Sequence, residues 1–299
     1  MERLDREFPE IIAKMIENSP ARDTVITEDN VYQEGDPTNK PLMELIVNTT
    51  ILPGSRILGF ENLVDLHRRA KAGDDCLILM EHYSNLDLPC FYELLEREDE
   101  VGKEITDSIV SMAGFKLNEE SDLVRSFTEI FTRVVIYPSR GLEQIADPEK
   151  RKAALEKKER INRAAFKELY RLKKSGRIVN VYPTGTRYRP WDPSTGRGMR
   201  DADSYVRYFK WMTLVAVNGN GLVINPESDM SGDIPTRDII IYTASSVFSC
   251  KEYRERALRS LESEADPKQH VVDTVMNDLK RIHAETEKKR ALLIASAGR

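Results

Sequence analysis

Hydrophobic and polar positions follow two rhythms along this chain. Short apolar-rich runs bounded by Gly, Asp, Asn or Pro occur at 76–80, 107–112, 132–137, 179–182, 212–217 and 238–243, and each reads as a strand. Before and between the first four lie segments with apolar residues every three or four positions, which predict helices over 61–72, 88–98, 121–131 and 149–174. Strands alternating with helices predict an α/β fold, a mostly parallel mixed sheet flanked by helices, with the strands' carboxyl ends on one rim. Ahead of it, Leu4, Phe8, Ile11, Ile12, Met15 and Ile16 form a helical stripe over 1–19, and a second helix over 41–52 is closed by Pro53-Gly54. The expected organisation is an N-terminal helical segment, 1–55, and an α/β domain, 56–299. Asn218-Gly219-Asn220-Gly221 predicts a hairpin joining 212–217 to 222–225. Residues 251–292 read as helical, broken at Asp266-Pro267, with a mixed-charge face turned to solvent.

Candidate chemistry sits where strands end. After the run 76–80 comes Glu81-His82-Tyr83-Ser84-Asn85-Leu86-Asp87-Leu88-Pro89. Ser84, Asn85 and Asp87 are helix-capping types, and Pro89 is tolerated only in a first helical turn. His82 therefore lies at a strand's carboxyl end and Asp87 near a helix's amino end. On one continuous helix, residues five apart would be separated by about 140° and could not meet. Across a turn they can. Asp87 would fix the tautomer of His82 and raise its basicity, so that the other ring nitrogen acts as a general base. A second strand, 179–182, ends in Pro183-Thr184-Gly185-Thr186-Arg187-Tyr188-Arg189-Pro190. Arg187 and Arg189 share a side if the segment is extended, guanidinium forks suit phosphate, and Gly185 lets backbone amides approach an anion.

In this order and spacing, the His82-x-x-x-x-Asp87 motif and the later Tyr-Pro-Thr-Gly-Thr-Arg block closely resemble the glycerolipid acyltransferase family. Thr184 stands where lysophosphatidate acyltransferases usually carry glutamate, and Leu214-Val215-Ala216-Val217 lacks the later proline of that branch. The run Gly185-Thr186-Arg187-Tyr188-Arg189-Pro190 looks more like the soluble, plastid-type glycerol-3-phosphate acyltransferases. The resemblance implies their α/β fold and the transfer of a fatty acyl group from an acyl-acyl carrier protein or acyl-coenzyme A to glycerol 3-phosphate. It also implies His82 and Asp87 as the catalytic pair and Arg187, Arg189, Gly185 and Thr184 around the substrate phosphate. Arg140, in the turn after 132–137, takes the place of a further basic phosphate ligand, with Ser139 and Arg133 as lesser candidates. No cofactor is implied beyond the thioester co-substrate. Acylation of lysophosphatidate is the alternative within the class. A non-catalytic protein binding phosphate or lipid headgroups is the alternative outside it.

Composition narrows the setting. A chain of 299 residues, 40% hydrophobic, can bury a substantial core. A net charge of −5 argues against a nucleic-acid binder. Within that acidic total, 150–177 holds twelve Lys/Arg against three Glu. Such a run is most simply a solvated face; functionally it would suit an acidic carrier protein or an anionic membrane surface. No apolar run approaches the roughly 18 residues needed to cross a bilayer, and the start carries no signal-peptide pattern. The expectation is a soluble cytoplasmic or stromal protein that touches membranes at most peripherally. Cys76, Cys90 and Cys250 lack metal-ligand or disulfide-framework spacing, and His270 and His283 have no partner at zinc-site spacing.

Overall fold

A computed structural model of the chain describes residues 2–19, 25–115, 117, 121–139, 142, 145–172, 174–228 and 230–297. The first stripe forms two helices, α1 (Leu4–Glu7) and α2 (Pro9–Asn18), where its pattern predicted one. Pro9 has no N–H to donate inside a helix but suits a first helical position, so a new helix starts there. β1 (Tyr32–Gln33), α3 (Lys40–Thr50), β2 (Arg56–Leu58) and α4 (Phe60–Lys71) follow. Then come β3 (Cys76–Met80), α5 (Asp87–Glu96), α6 (Glu100–Ser108) and β4 (Ile109–Gly114). α7 (Asp122–Thr128), capped by the Ser121 hydroxyl, leads to β5 (Arg133–Ile136), and α8 (Pro148–Leu172) leads to β6 (Ile178–Val181). α9 (Asp203–Tyr208) precedes β7 (Trp211–Asn218). After β8 (Leu222–Val223), β9 (Ile234–Pro235), β10 (Ile241–Ala244) and β11 (Phe248–Ser249), the described chain finishes with α10 (Cys250–Arg259) and α11 (Pro267–Ala297).

The main sheet runs β1-β5-β4-β6-β3-β7-β10-β2, with β11 also paired to β7. Its centre, β5-β4-β6-β3-β7, is parallel throughout. β1 joins one side and β10 the other in antiparallel fashion, giving the expected mixed, mostly parallel α/β architecture. β3 lies in the middle, and all five of its residues are buried. Successive strand side chains point to opposite faces. Cys76, Ile78 and Met80 enter one core with residues of α1 to α7, among them Met15, Ile46, Leu66, Phe91, Ile105 and Phe127. Leu77 and Leu79 enter the other with Leu169 of α8, Val206 of α9, Tyr253 of α10 and Val275 and Leu279 of α11. A one-residue slip of β3 would exchange the two sets, so register is fixed here. The residues that continue the strand, Glu81 and His82, are thereby sent to opposite faces.

One sequence expectation fails in this part of the chain. The Asn218–Gly221 turn closes no hairpin: β7 pairs with β3 and β10, and β8 pairs with β9 in a separate ribbon. With both edges of β7 occupied, the turn bonds to the segment entering β10 instead. Asn220 N donates to Asp238 Oδ2 at 3.0 Å and Thr236 N to Gly221 O at 2.9 Å. The strand expected at 238–243 forms as β10, and outside it pairs a strand missing from the sequence reading, β2. Its three residues are too few to announce themselves by alternation.

Candidate active site

The turn after β3 brings the motif residues together. His82 Nδ1 lies 2.9 Å from Asp87 Oδ2. Asp87 is 3% exposed and accepts three more bonds: Oδ2 from the amides of Tyr83 at 2.6 Å and Ser84 at 2.9 Å, and Oδ1 from the Ser84 hydroxyl at 3.0 Å. Four donors on one carboxylate fix its position, so that it can orient an imidazole. The Ser84 hydroxyl also accepts from Leu86 N at 3.1 Å, and the buried Tyr242 hydroxyl donates to Asp87 O at 2.6 Å. The turn is held from both sides, and no described residue hydrogen-bonds His82 Nε2.

β6 delivers the second motif because it pairs directly with β3, Leu79 opposite Val181. Tyr182 stacks on the His82 ring at 4.0 Å between centroids, and Tyr188 N donates to His82 O at 2.8 Å. Both motif turns therefore meet at the carboxyl rim, where open α/β sheets bind ligands. Gly185 has φ +63°, and a Cβ there would stand 2.5 Å from Met199 Sδ. The turn thus needs the conformational freedom of glycine.

The remaining predicted residues are placed unequally. Arg187 Nη1 donates to Asp233 Oδ2 at 2.6 Å; Asp233 is 0% exposed, and no described group engages Arg187 Nε or Nη2. Arg189 Nη1 donates to Thr186 Oγ1 at 3.2 Å, and its backbone amide to Thr195 Oγ1 at 2.8 Å. Thr184 is buried, its hydroxyl donating to Thr186 O at 2.7 Å, so it shapes the turn from within. Ser139 bonds Asp201 and accepts from Lys158 Nζ at 2.6 Å. Arg133 is buried at the amino end of β5, on the rim opposite the motifs, its Nη1 on Thr128 O at 2.7 Å. Arg140 lies outside the described residues.

Sequence reasoning missed a second imidazole–carboxylate pair. Glu81 Oε2 accepts from His283 Nδ1 at 2.9 Å and from Val217 N at 2.9 Å, while Oε1 accepts from the Tyr83 hydroxyl at 3.1 Å. The one available signal was Glu81 itself, a charge prolonging a wholly apolar strand. Its hydrogen bond to Glu81, working against burial, holds the His283 imidazole above its ordinary range.

Cysteine chemistry is disfavoured beside this site. Burial pushes the Cys76 thiol up to about 12. Cys90 is raised as well, first by burial and then by Asp87. Burial, helped by Glu81, raises the Tyr83 hydroxyl. Among the described residues no three His, Cys, Asp or Glu side chains cluster as a metal site would require, and no helix is long and apolar enough to cross a membrane. A scan against protein-family models matches none, and a search of curated proteins finds no match.

Proposed function

We propose that this chain is an acyltransferase that moves a fatty acyl group from a thioester, carried on an acyl carrier protein or coenzyme A, to the hydroxyl of glycerol 3-phosphate. The observation that carries the reading is the 2.9 Å contact between His82 Nδ1 and a buried, fourfold-bonded Asp87 at the sheet's carboxyl rim. His82 Nε2 takes the proton of the acceptor hydroxyl as its oxygen attacks the thioester carbonyl. Collapse of the tetrahedral intermediate breaks the C–S bond, and the thiolate leaves with the proton returned from the imidazolium. Asp87 holds the tautomer and faces the imidazolium as it forms. Because the substrate supplies the hydroxyl, no protein nucleophile is required, in keeping with the raised Cys76 and Cys90 thiols.

Arg187 and Arg189 bind the acceptor's phosphate beside the Gly185 turn, with Arg140 as a further ligand. The buried Asp233 holds one edge of Arg187, leaving Nε and Nη2 for the ligand. The fold is then that of the glycerol-3-phosphate acyltransferases the motifs resemble, with 1–55 as a helical segment ahead of the catalytic domain.

The test is incubation of purified protein with palmitoyl-coenzyme A or a palmitoylated carrier protein and, separately, glycerol 3-phosphate or lysophosphatidate, measuring thiol release and lipid product. Lysophosphatidate formed from glycerol 3-phosphate is the expected result. Phosphatidate formed only from added lysophosphatidate would reassign the acceptor. No thiol release in any mixture, with ligand binding intact, would leave the phosphate- or headgroup-binding reading.

A further inference from the structure

Back to back with His82 and Asp87, the second pair forms the near end of a hydrogen-bonded path. His283 Nδ1 bonds Glu81 Oε2 at 2.9 Å, Glu81 Oε1 accepts from the Tyr83 hydroxyl at 3.1 Å, and the Tyr83 amide donates to Asp87 Oδ2 at 2.6 Å. The path crosses the sheet at the end of β3, from α11 on one face to the candidate catalytic pair on the other. Glu81 is only 5% exposed. Taking a carboxylate out of water costs several kcal/mol, and an apolar residue in such a place is often no less stabilising. Stability alone therefore does not account for glutamate at this position, next to His82.

We propose that His283 is a positioning residue of the candidate active site: through Glu81 and Tyr83 it fixes the turn 82–87 and so the distance between Asp87 and His82. The proposal rests on the acyltransferase reading for its kinetic consequences. The groups facing His283 are Glu81 and Tyr83 from the β3 turn and Glu287 and Arg290 from its own helix. Asn218 of β7 ties α11 down, its Nδ2 donating to His283 O at 3.1 Å and Glu287 Oε2 at 2.8 Å. Arg290 pairs with Asp238 and with Glu287, and the Thr243 and Thr286 hydroxyls meet at 2.8 Å. α11 is thus anchored independently of the imidazole, so replacing His283 removes the path without undocking the helix.

His283→Ala and His283→Asn test this in the full chain, with thermal melts to confirm folding. Asparagine keeps an amide donor near the position of Nδ1 but does not titrate. The alanine variant is expected to lose about 10-fold or more in kcat with little change in acceptor KM, as displaced catalytic groups do. In the wild type, kcat should fall about 5-fold on the alkaline side as the bond to Glu81 loses its charged donor. The asparagine variant should restore turnover at pH 7 to within about 3-fold of wild type and lack that alkaline fall. The downfield Nδ1–H proton resonance of His82 should persist in His283→Asn and disappear in His283→Ala. Wild-type kcat and an unchanged resonance in the alanine variant, or an intact alkaline fall in the asparagine variant, overturns the proposal. If the wild type transfers no acyl group, the functional reading fails and the resonance alone decides the positioning role. If the alanine variant does not fold, the asparagine variant decides it.

Discussion

Asp87→Asn separates catalysis from the holding of the turn. The carboxylate accepts from His82 Nδ1, Tyr83 N and Ser84 N on Oδ2, and from Ser84 Oγ on Oδ1. Asparagine keeps the shape but offers one acceptor oxygen and no charge. With that oxygen at the Oδ2 position, the backbone bonds survive as neutral ones, and Ser84 Oγ turns to accept from Nδ2. Charge-assisted bonds are roughly twice as strong as neutral ones, so at about 0.5–1 kcal/mol each the fold loses about 2–4 kcal/mol. For a domain of this size that is a fall in Tm of about 4–16 °C. The chemical loss is larger, because the imidazolium formed in the transition state no longer has a counter-charge. General-base catalysis contributes about 10²–10⁴-fold, or about 2.7–5.4 kcal/mol, and kcat should fall within that range with little change in acceptor KM. The assay is initial-rate thiol release beside circular-dichroism melts, for His82→Ala, Asp87→Asn and the double variant. The double variant should be no slower than His82→Ala alone, because residues that act as a unit are strongly non-additive. An Asp87→Asn protein whose Tm falls while kcat stays within about threefold of wild type would refute the reasoning. Asp87 would then hold the turn 83–87 and nothing more.

Three further predictions follow from the geometry. Arg187→Ala should raise the KM for the phosphorylated acceptor about 10–100-fold and change kcat less, since a bond to a charged group contributes about 1.5–3 kcal/mol. It also removes the guanidinium bond to the buried Asp233, so stability in urea should fall along with affinity; an unchanged KM would remove Arg187 from the phosphate site. Gly185→Ala should destabilise by about 1–2 kcal/mol through its left-handed backbone, and by more through Met199, so Met199→Ala should relieve only the excess. Stability should also depend on pH through His283, whose folded value is raised by Glu81. That contribution is complete below the unfolded value of about 6.5 and is lost as pH rises through the higher folded value. Calorimetric melts from pH 6 to 9 should show wild type losing more stability than His283→Asn, and parallel curves would contradict the ion pair.

What the sequence revealed was what it encodes locally. β3 and β6 were legible because their apolar runs are bounded by turn residues, and α7 because Ser121 caps it. The approach of His82 to Asp87 was legible because both lie in one turn, five residues apart. Reading failed where a partner is distant. Asn218-Gly219-Asn220-Gly221 has hairpin chemistry, yet β10 and β3 occupy both edges of β7. Tertiary pairing overrode the local signal. His283 lies 202 residues from Glu81, and Arg187 lies 46 from Asp233, separations over which hydrophobic periodicity says nothing about which charges meet. The local clue was a carboxylate continuing a strand buried on both faces, which must find a donor or pay heavily for desolvation.

Asp233 also changes what Arg187 can do. An unpaired guanidinium presents five donors and turns freely toward any anion; one held at Nη1 by a buried carboxylate at 2.6 Å keeps a fixed plane with Nε and Nη2 along its open edges. Coulomb attraction to a ligand is weakened by the adjacent negative charge, whereas orientation is gained without ordering a long side chain at the moment of binding. Such an arginine favours a ligand whose oxygens match its fork over one that is merely negative. The residue that orients it is itself anchored from α1, since Leu4 N donates to Asp233 O at 2.8 Å, and from the segment after β8, since Asn225 N donates to Asp233 Oδ1 at 3.0 Å. α1 is therefore linked to Arg187 through one buried carboxylate residue. Disturbing Leu4 should move acceptor KM before it moves kcat, because the candidate catalytic pair is clamped separately by its own turn.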